Sequence, residues 1–453
     1  MKVNNGREVL VRKKICRMYL LEKKITAWKC SYVLCGTIFI LMVFVIHMRF
    51  NREFNIETVI SSTGSICQGR RIYMYNLPEK FNSLLLKNCS GQIVPWLNFC
   101  PHAQNDGFGS AIGNHSGWYA SDLYMVELVF HRRMMEYPCL VDSMESADAF
   151  FVPYYSGLDA LRFLYGPEKI RRSEQGAELV DWLEENGGWR WRKKGGADHF
   201  IVTGRTVWDL CEVSREWGTG LLELEALENV TVLCVEGRTW VTREQAVPYL
   251  TSFHPESVEE VGKWRGRVES AERISLFAFV GGERKEVGLR QAIIWQCRNS
   301  SRCDFLNCGE IKCSHRPVAV MEKLLTAEFC LQPPGDSPTR RSTFDGLIAG
   351  CIPVFFRNDS AYQQYTWHLP RDTDSYSVFI PEERVVHGGL RIEDVLDSYS
   401  RERRRKMREN IVGIIPQLIY MNIGASRGVL KDAFDVSLEG VLRSAGQASV
   451  TVP

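Results

Sequence analysis

The chain alternates short apolar runs with amphipathic segments from about residue 71 onward. Apolar runs of about four to eight residues between turn residues are typical of strands that are buried on both faces. The segments between them carry apolar residues at helical spacing, as in SDLYMVELVFHRRMMEY, for which Ser121 is the predicted N-cap. The strand-like runs are RIYMYNLP, DAFFVPYY, HFIVTG, VTVLCVEG, ISLFAFVGG, AEFCLQPPGD and CIPVFF. This alternation predicts an α/β fold with parallel sheets.

The length of 453 residues exceeds what a single hydrophobic core usually serves. A polar stretch at residues 249–273, which contains SFHPES, separates the first four strand-like runs from the last three. We therefore predict two α/β domains, residues 70–260 and 261–453.

Residues 31–48, SYVLCGTIFILMVFVIHM, contain no aspartate, glutamate, lysine or arginine. This length is close to the roughly 20 residues that cross a bilayer as a helix. Nine lysines and arginines but two glutamates precede it, and the positive-inside rule then places the N-terminus in the cytosol. A buried core helix is the less favoured alternative. The pattern predicts a cytosolic tail at 1–30, a transmembrane signal anchor at 31–48 and a stem at 49–69, with the rest of the chain lumenal.

Potential glycosylation sites and cysteines agree with a lumenal body. Twelve of the fifteen cysteines follow residue 48, an even number in a compartment that permits disulfides. Five Asn-X-Ser/Thr triplets predict glycan acceptors at Asn88, Asn114, Asn229, Asn299 and Asn358.

Four cysteines crowd into CRNSSRCDFLNCGEIKC, residues 297–313. Zinc binding is one interpretation, but the spacing lacks the tight pair that is typical of structural zinc sites. We favour a loop stapled by disulfides.

Charge excludes some classes of function. A formal net charge of +2 gives no bulk attraction to nucleic acid or to a membrane surface. The basic run SRERRRKMREN, residues 400–410, contains interspersed glutamates, and we interpret it as the solvated face of a helix.

The stretch CLQPPGDSPTRRSTFDGLIAGCIPVFF, residues 330–356, carries the clearest candidate chemistry. It predicts a strand, then a helix capped by Asp336 or Ser337 and ended by Gly350, then a second strand. Such a helix would begin at the carboxyl end of a strand, where ligands bind in open α/β sheets. Free N–H groups at the helix start, with Arg340 and Arg341 in its first turn, favour a phosphate there.

Two further features favour a nucleotide ligand. Asp345 lies one helical turn beyond Arg341 and could accept hydrogen bonds from ribose hydroxyls; a surface ion pair with Arg341 is the open alternative. The second glycine turn, FVGGERKEVGLR, places Gly281, Gly282 and Arg290 at another phosphate-facing edge. Two such edges in one domain favour a sugar nucleotide.

The same stretch, with SAYQQYTWHLP and YSVFIPEE, resembles the exostosin-like glycosyltransferases of plants, and most closely their xyloglucan galactosyltransferase branch. The resemblance continues through IYMYNLPEKFN, ADAFFVPYYSGLDA, ADHFIVTGRTVWDL and KDAFDVS. It implies a GT-B arrangement of two facing Rossmann-like domains behind one transmembrane helix, in a type II enzyme of the Golgi membrane. It also implies sugar transfer with inversion and without an essential metal, the donor being held by the C-terminal domain and the acceptor mostly by the N-terminal one.

Transferred to this sequence, the resemblance implies donor-binding roles for Arg290, Gly335, Ser337, Thr339, Arg340, Arg341 and Asp345. Arg340 and Arg341 would neutralise the diphosphate, Asp345 would bind ribose, and Arg290 would assist at the phosphates. The motif RDTDSYS contains a DxD pattern that binds manganese in another glycosyltransferase fold, but it follows Leu369-Pro370-Arg371 rather than an apolar strand. We interpret it as a turn.

Inversion requires a base that takes the proton of the acceptor hydroxyl. The candidates are Asp159, His199 and Asp209, with His254 as a fourth. The predicted function is transfer of galactose from UDP-galactose to the xylosyl side chains of xyloglucan. The alternatives are transfer of galacturonic acid or arabinose, or a non-catalytic scaffold for other Golgi glycosyltransferases.

Overall fold

The computed structural model describes residues 67–211, 217–284, 288–422 and 430–448. The predicted tail and signal anchor, and the stem up to residue 66, lie outside the described residues. Within the described residues, no helix is both long and apolar enough to cross a membrane.

Two parallel sheets organise the chain. The first has the order β2-β1-β3-β4-β5-β6 and the second the order β11-β10-β9-β7-β8, and each pair of neighbouring strands runs parallel. The strands are β1 (Ile72–Met74), β2 (Leu140–Val141), β3 (Ala149–Phe151), β4 (His199–Val202), β5 (Thr231–Cys234), β6 (Glu244–Ala246), β7 (Ser275–Gly281), β8 (Cys303–Asn307), β9 (Ala327–Gln332), β10 (Ile352–Phe355) and β11 (Val378–Phe379). The prediction of an α/β fold with two parallel sheets is confirmed.

Helices connect the strands and cover the sheets. They are α1 (Ser83–Lys87), α2 (Val126–Met135), α3 (Ser156–Leu164), α4 (Ala177–Asn186), α5 (Gly188–Lys194), α6 (Val258–Ser270), α7 (Leu289–Arg298), α8 (Cys308–Ile311), α9 (Pro317–Leu325), α10 (Arg341–Ile348), α11 (Glu382–Val386), α12 (Ile392–Asp397), α13 (Arg401–Ile414) and α14 (Ala433–Ala448). Central strands such as β3, β4 and β5 are buried along their whole length, because helices pack on both faces of a parallel sheet.

Two predicted helix starts are wrong. Ser121 does not cap α2, which begins at Val126; its hydroxyl donates instead to the carbonyl oxygen of Phe108 at 2.6 Å. Neither Asp336 nor Ser337 caps α10, whose N-cap is Arg340. The loop before α10 is longer than predicted because its polar groups bond to other segments rather than to the helix start.

The end of α10 agrees with the prediction. Gly350 follows the C-cap residue Ala349 and has a φ of 65°, the left-handed conformation that glycine adopts without strain. Its backbone N–H donates to the carbonyl oxygen of Leu347 at 2.9 Å, which closes the last turn.

The helix α6 belongs to the core of the second sheet. Val261, Trp264 and Val268 of α6 lie in one hydrophobic cluster with Ala278 of β7 and Cys330 of β9. The last strand of the first sheet ends at Ala246, whereas α6 begins at Val258. The predicted domain boundary after residue 260 stays a prediction.

The closing helix α14 returns to the first sheet. Phe434 packs on Phe130 of α2, with ring centroids 5.0 Å apart. Beside it, Arg133 donates to the buried carboxylate of Asp432 at 2.8 Å. The end of the chain therefore completes a core that its first third begins.

Disulfides confirm part of the interpretation of the cysteine-rich segment, residues 297–313, but the segment is not a loop because it contains β8 and α8. Cys297 pairs with Cys303, and Cys308 with Cys313. Cys89 pairs with Cys100, Cys330 pairs with Cys351, and Cys67 and Cys139 are also disulfide-bonded. Cys211 and Cys234 are free thiols. In the described part of the chain, no group of three or more His, Cys, Asp or Glu side chains could hold a metal ion.

Two interpretations of charged motifs also agree with the structure. The basic run forms α13, capped by Ser400, and Arg405 pairs there with Glu402 and Glu409 at the surface. The DxD motif forms one turn of 3-10 helix, Thr373–Ser375.

Candidate active site

The two adjacent arginines lie at the start of α10, immediately after the loop that follows β9. Arg340, Arg341 and Asp345 line a cavity of about 190 Å³, which we call the arginine cavity. Its other walls come from both sheets and from the cysteine-rich segment, and include Trp118, Leu123, Ser252, Val280, Cys308 and Cys313. The sequence therefore predicted correctly that these three side chains would meet at one place.

Arg341 joins the second sheet to the loops of the first. Its guanidinium donates to the carbonyl oxygen of Ser121 at 2.8 Å and to the hydroxyl of Ser252 at 2.7 Å. Its Nε lies 3.5 Å from a carboxylate oxygen of Asp345. The ion pair between Asp345 and Arg341, which was the alternative to ribose binding by Asp345, is thus present. It is mostly buried rather than exposed at the surface.

Arg340 points the other way, into the second sheet. Its guanidinium donates to the carbonyl oxygen of Val280 at 2.7 Å and lies 5.7 Å from the ring centroid of Phe279. Burial, with the nearby charges of Arg290 and Arg284, lowers the pKa of Arg340 to about 9. One of its terminal nitrogens, Nη1, is buried without a hydrogen-bond partner among the described residues. A buried cation with a spare donor and cationic neighbours suits an anionic ligand.

Arg290 supports the loop at this site. It donates to the carbonyl oxygens of Pro334 at 3.0 Å and Gly282 at 3.4 Å, and so joins the two glycine turns of the second sheet. Burial lowers the pKa of Arg290, and the nearby positive charge of Arg284 lowers it further. Gly335 packs so closely that a Cβ there would lie 3.2 Å from Cγ of Arg340.

Ser337 and Thr339 contact a buried carboxylate that the sequence did not single out. Glu236 follows β5 of the first sheet and is fully buried. It accepts hydrogen bonds from the Ser337 hydroxyl at 2.6 Å, the Thr339 backbone N–H at 3.0 Å and the Tyr249 hydroxyl at 2.5 Å. The carboxyl ends of β5 and β9 are thereby held together around this side chain.

Burial raises the pKa of the Glu236 carboxyl to about 7, although its three hydrogen bonds favour the charged form. A signal for this residue exists in the sequence: VTVLCVEG ends an apolar strand with a carboxylate, at the edge where ligands bind. Its partner, however, lies 101 residues away, and no local pattern announces it.

Asp159 lies on α3 and belongs to a different cavity of about 580 Å³ between α1, α3 and α4. Its carboxylate accepts hydrogen bonds from the Tyr154 hydroxyl at 2.5 Å and from Arg162 at 2.7 Å. Burial raises the pKa of Asp159, and the charge of Arg162 opposes this effect. The structure does not bring Asp159 to the arginine cavity.

The two histidine candidates are core residues. His199 begins β4, opposite the carboxyl end, where it bonds to the Tyr75 hydroxyl at 2.8 Å and stacks on Phe150 at 4.6 Å. His254 is closer to the cavity but fully enclosed, with Nδ1 2.8 Å from the carbonyl oxygen of Tyr420. Burial lowers the pKa of His254 to about 4. Neither imidazole reaches the arginine cavity.

His254 nevertheless supports the site indirectly. Its Nε2 lies 3.0 Å from the hydroxyl of Ser121, whose carbonyl oxygen accepts from Arg341. The imidazole therefore fixes a segment that Arg341 uses as a partner.

Asp209 lies in a short 3-10 helix after β4 and is largely buried. Its carboxylate accepts hydrogen bonds from Arg205 at 2.6 Å and from the indole N–H of Trp217 at 2.5 Å. Both carboxylate oxygens therefore have a donor, which leaves Asp209 better placed to orient neighbours than to take a proton.

Four of the five predicted glycan acceptors are exposed. Asn114, Asn229, Asn299 and Asn358 have accessible side chains, whereas Asn88 is half-buried at the end of α1. Glycosylation at these positions stays a prediction.

The fold and the site together define the class of protein to which the molecule belongs. The molecule is an α/β protein whose two parallel sheets contact each other at the carboxyl ends of β5 and β9, beside an arginine-lined cavity suited to an anion. The family model of the exostosin GT47 domain matches residues 66–396.

Relatives in Arabidopsis thaliana cover most of the chain. "Probable xyloglucan galactosyltransferase GT19" is 41% identical over 400 residues, which are 84% of this chain and 92% of that protein. "Xyloglucan galactosyltransferase MUR3" is 43% identical over 389 residues, or 83% of this chain and 62% of that protein. "Xyloglucan-specific galacturonosyltransferase 1" is 39% identical over 384 residues, or 83% of this chain and 57% of that protein. The chain belongs to the exostosin GT47 family and is a glycosyltransferase, as predicted.

Similarity to solved structures is low. The crystal structure of the GtfA/B complex aligns at 9% identity over 61% of each chain with a TM-score of 0.30, a level from which no function can be transferred.

Proposed function

We propose that this glycosyltransferase moves a sugar, galactose in the first instance, from a UDP-sugar to xyloglucan with inversion at the anomeric carbon. The observation that carries the proposal is the arginine cavity, where a buried guanidinium with an unused donor adjoins a second arginine. A diphosphate is an anion of matching chemistry. The names of the relatives support the choice of polysaccharide and sugar.

In this proposal the arginines supply the positive charge that a departing UDP requires. Arg340 and Arg341 would hold the diphosphate at the start of α10, where the helix dipole and free N–H groups also favour an anion. Because the groups are fixed before the reaction, they stabilise negative charge as it develops on the leaving oxygen. Asp345 would hold the ribose and, through its ion pair, orient Arg341.

The contact between the carboxyl ends of the two sheets supports a GT-B arrangement, with the donor on the second sheet and the acceptor on the first. The base among Asp159, His199 and Asp209 stays a prediction. The relative named as a galacturonosyltransferase makes UDP-galacturonic acid the second donor to test.

We also propose that residues 31–48 anchor the enzyme in the Golgi membrane with its catalytic region in the lumen. The disulfides of the described region support an oxidising compartment. Protease treatment of sealed Golgi vesicles tests this topology: the body should be protected until detergent is added. Digestion of the body without detergent would contradict it.

The activity is tested by measuring UDP release from the full-length chain in detergent. UDP-galactose, UDP-galacturonic acid and UDP-arabinose are each offered with and without xyloglucan oligosaccharide, in the presence and absence of a chelator. We expect acceptor-dependent release with UDP-galactose that persists in chelator. No acceptor-dependent release from any of the three donors, with folded protein, would overturn the proposed function.

A further inference from the structure

A cluster of three aromatic rings lies at the surface of the part of the chain that carries the first sheet. Trp96 is 72% exposed and Trp217 is 36% exposed. Tyr165 connects them, with its ring centroid 6.1 Å from that of Trp96 and 5.1 Å from that of Trp217. We call these three residues the aromatic platform. Tyr165 is half-buried, so the cluster consists of one largely exposed ring, Trp96, and two rings that are partly exposed. Exposed aromatic rings in contact mark a binding site more often than isolated exposed side chains do.

Trp96 lies on a loop that is held firmly. The Cys89–Cys100 disulfide closes this loop, and Ile93 and Val94 anchor it in the core. The loop also packs tightly on the end of α3, because a Cβ at Gly166 would lie 2.9 Å from the carbonyl oxygen of Ile93. The indole of Trp96 is thus presented to solvent by a fixed support.

Trp217 is fixed by polar contacts that also reach the other rings. Its N–H donates to Asp209, which accepts a second bond from Arg205. The guanidinium carbon of Arg205 lies 4.8 Å from the ring centroid of Tyr124 and 6.0 Å from that of Tyr165. Arg205 and Asp209 are buried and bonded to each other, so they act here as a support that fixes the position of the Trp217 ring.

Aromatic rings on a support without free charge fit a neutral sugar chain. A pyranose has a C–H face that packs on an aromatic ring. An acidic chain would gain less, because the Arg205 charge is already neutralised by Asp209.

Residues 121–124 lie between the arginine cavity and the Arg205 side chain that supports the platform. Arg205 lines a small cavity of about 80 Å³ together with Asp122 and Tyr124. The neighbouring residue Leu123 lines the arginine cavity, and Arg341 bonds to the carbonyl oxygen of Ser121. One short segment, residues 121–124, therefore separates the two cavities and touches both.

We propose that the aromatic platform is the acceptor subsite: it binds a neutral pyranose oligosaccharide by stacking, and residues 121–124 guide the end of that chain to the donor. This inference rests on the proposed function, since it takes the arginine cavity as the donor site. It assigns Trp96 and Trp217 to acceptor binding and Asp209 to positioning Trp217.

The test compares Trp96→Ala and Trp217→Ala with the matched control Trp295→Ala, an indole that is 67% exposed on α7 of the second sheet. With full-length protein and a xyloglucan oligosaccharide, we expect the acceptor KM to rise about tenfold in each platform variant, as for the loss of one stacked ring. The donor KM and the slow hydrolysis of UDP-sugar without acceptor should stay unchanged. Trp96→Phe, which keeps a ring, should recover most of the acceptor affinity.

Two outcomes separate this inference from the proposed function. If wild-type protein transfers sugar and the acceptor KM of both Trp96→Ala and Trp217→Ala equals that of wild type, the platform is overturned and the transferase stands. If wild-type protein releases no UDP from any donor, calorimetric titration with the oligosaccharide decides the platform separately. Binding that Trp96→Ala abolishes would then support it, and absence of binding would overturn it.

Discussion

The carboxyl ends of the two sheets differ in how their chemistry is encoded. On the second sheet, Arg340, Arg341 and Asp345 come from one turn of helix, and the loop before them follows the same strand. On the side of the first sheet, the residues that line the two cavities or bond to α10 and the loop before it come from separate segments around positions 121, 205, 236 and 252. A leaving group of constant chemistry can be held by one local motif, whereas a polysaccharide surface has to be assembled from many segments.

The largest effect is expected when a side chain of the local motif on α10, which consists of Arg340, Arg341 and Asp345, is removed. Arg341→Ala should lower kcat/KM by about 100-fold or more, the scale seen when one preorganised donor to a developing oxyanion is lost. Arg405→Ala, at an exposed ion pair on α13, is the matched control and should leave activity unchanged. The measurement is initial-rate UDP release, with the melting temperature followed in parallel. Full activity of a folded Arg341→Ala protein would show that the donor does not bind at the start of α10.

The contact between the two sheets can be tested through Glu236, the buried carboxylate that holds it together. Its pKa is raised to about 7 in the folded protein, against an ordinary value near 4.5, so the folded state holds the proton more tightly. The resulting stabilisation is fully present below about pH 4.5 and is lost as the pH rises through about 7. The free energy of unfolding of wild type relative to Glu236→Gln should therefore fall by about 3 kcal/mol between pH 4.5 and 7.5.

Denaturant unfolding of both proteins at several pH values measures this difference. Gln364 cannot serve as the control position, because its side chain also joins the two sheets by accepting a hydrogen bond from the backbone N–H of Gly237. Glu228→Gln, at an exposed site of the first sheet, is the suitable one. A constant difference between wild type and Glu236→Gln across the pH range would show that Glu236 is not the titrating group.

The segment that carries Arg340, Arg341 and Asp345 is also closed into a covalent loop, by the disulfide between Cys330 and Cys351. Replacing both cysteines by alanine should lower the free energy of unfolding by about 3 kcal/mol, since the closed loop no longer restricts the unfolded chain. Thermal denaturation of oxidised wild type and variant measures the loss. Removal of the half-buried Cys308–Cys313 pair, which closes a shorter loop, should cost less. The reverse order would contradict this account.

On the first sheet, the smallest effect on chemistry is expected at His199. Its imidazole lies in the core between Tyr75 and Phe150, so His199→Gln should lower the melting temperature but leave kcat of the folded fraction within about twofold. Active-site titration by UDP binding gives the folded fraction. A large drop in kcat at unchanged donor binding would instead support His199 as the catalytic base.

Local sequence patterns were sufficient for β1, β3, β4, β5, β7, β9 and β10, for the end of α10 at Gly350 and for placing Arg340, Arg341 and Asp345 around one cavity. They failed at the starts of α2 and α10 because Ser121 and Ser337, which have the chemistry of caps, bond instead to Phe108 and Glu236. They did not distinguish among the base candidates, since a histidine in an apolar strand and one in a polar junction look alike until burial is known. Short strands such as β2, β6 and β11 carry too few residues for a periodic signal.

The return of α14 to the first sheet has a consequence for synthesis in the cell. Arg133 of α2 and Asp432 are 299 positions apart, yet they share a buried ion pair beside Phe130 and Phe434. A chain that emerges from the ribosome in order cannot finish its first folded layer until nearly every residue has been made. During that interval the exposed face of α2 has no cover, and a nascent chain truncated before residue 432 should be recognised by chaperones as incomplete.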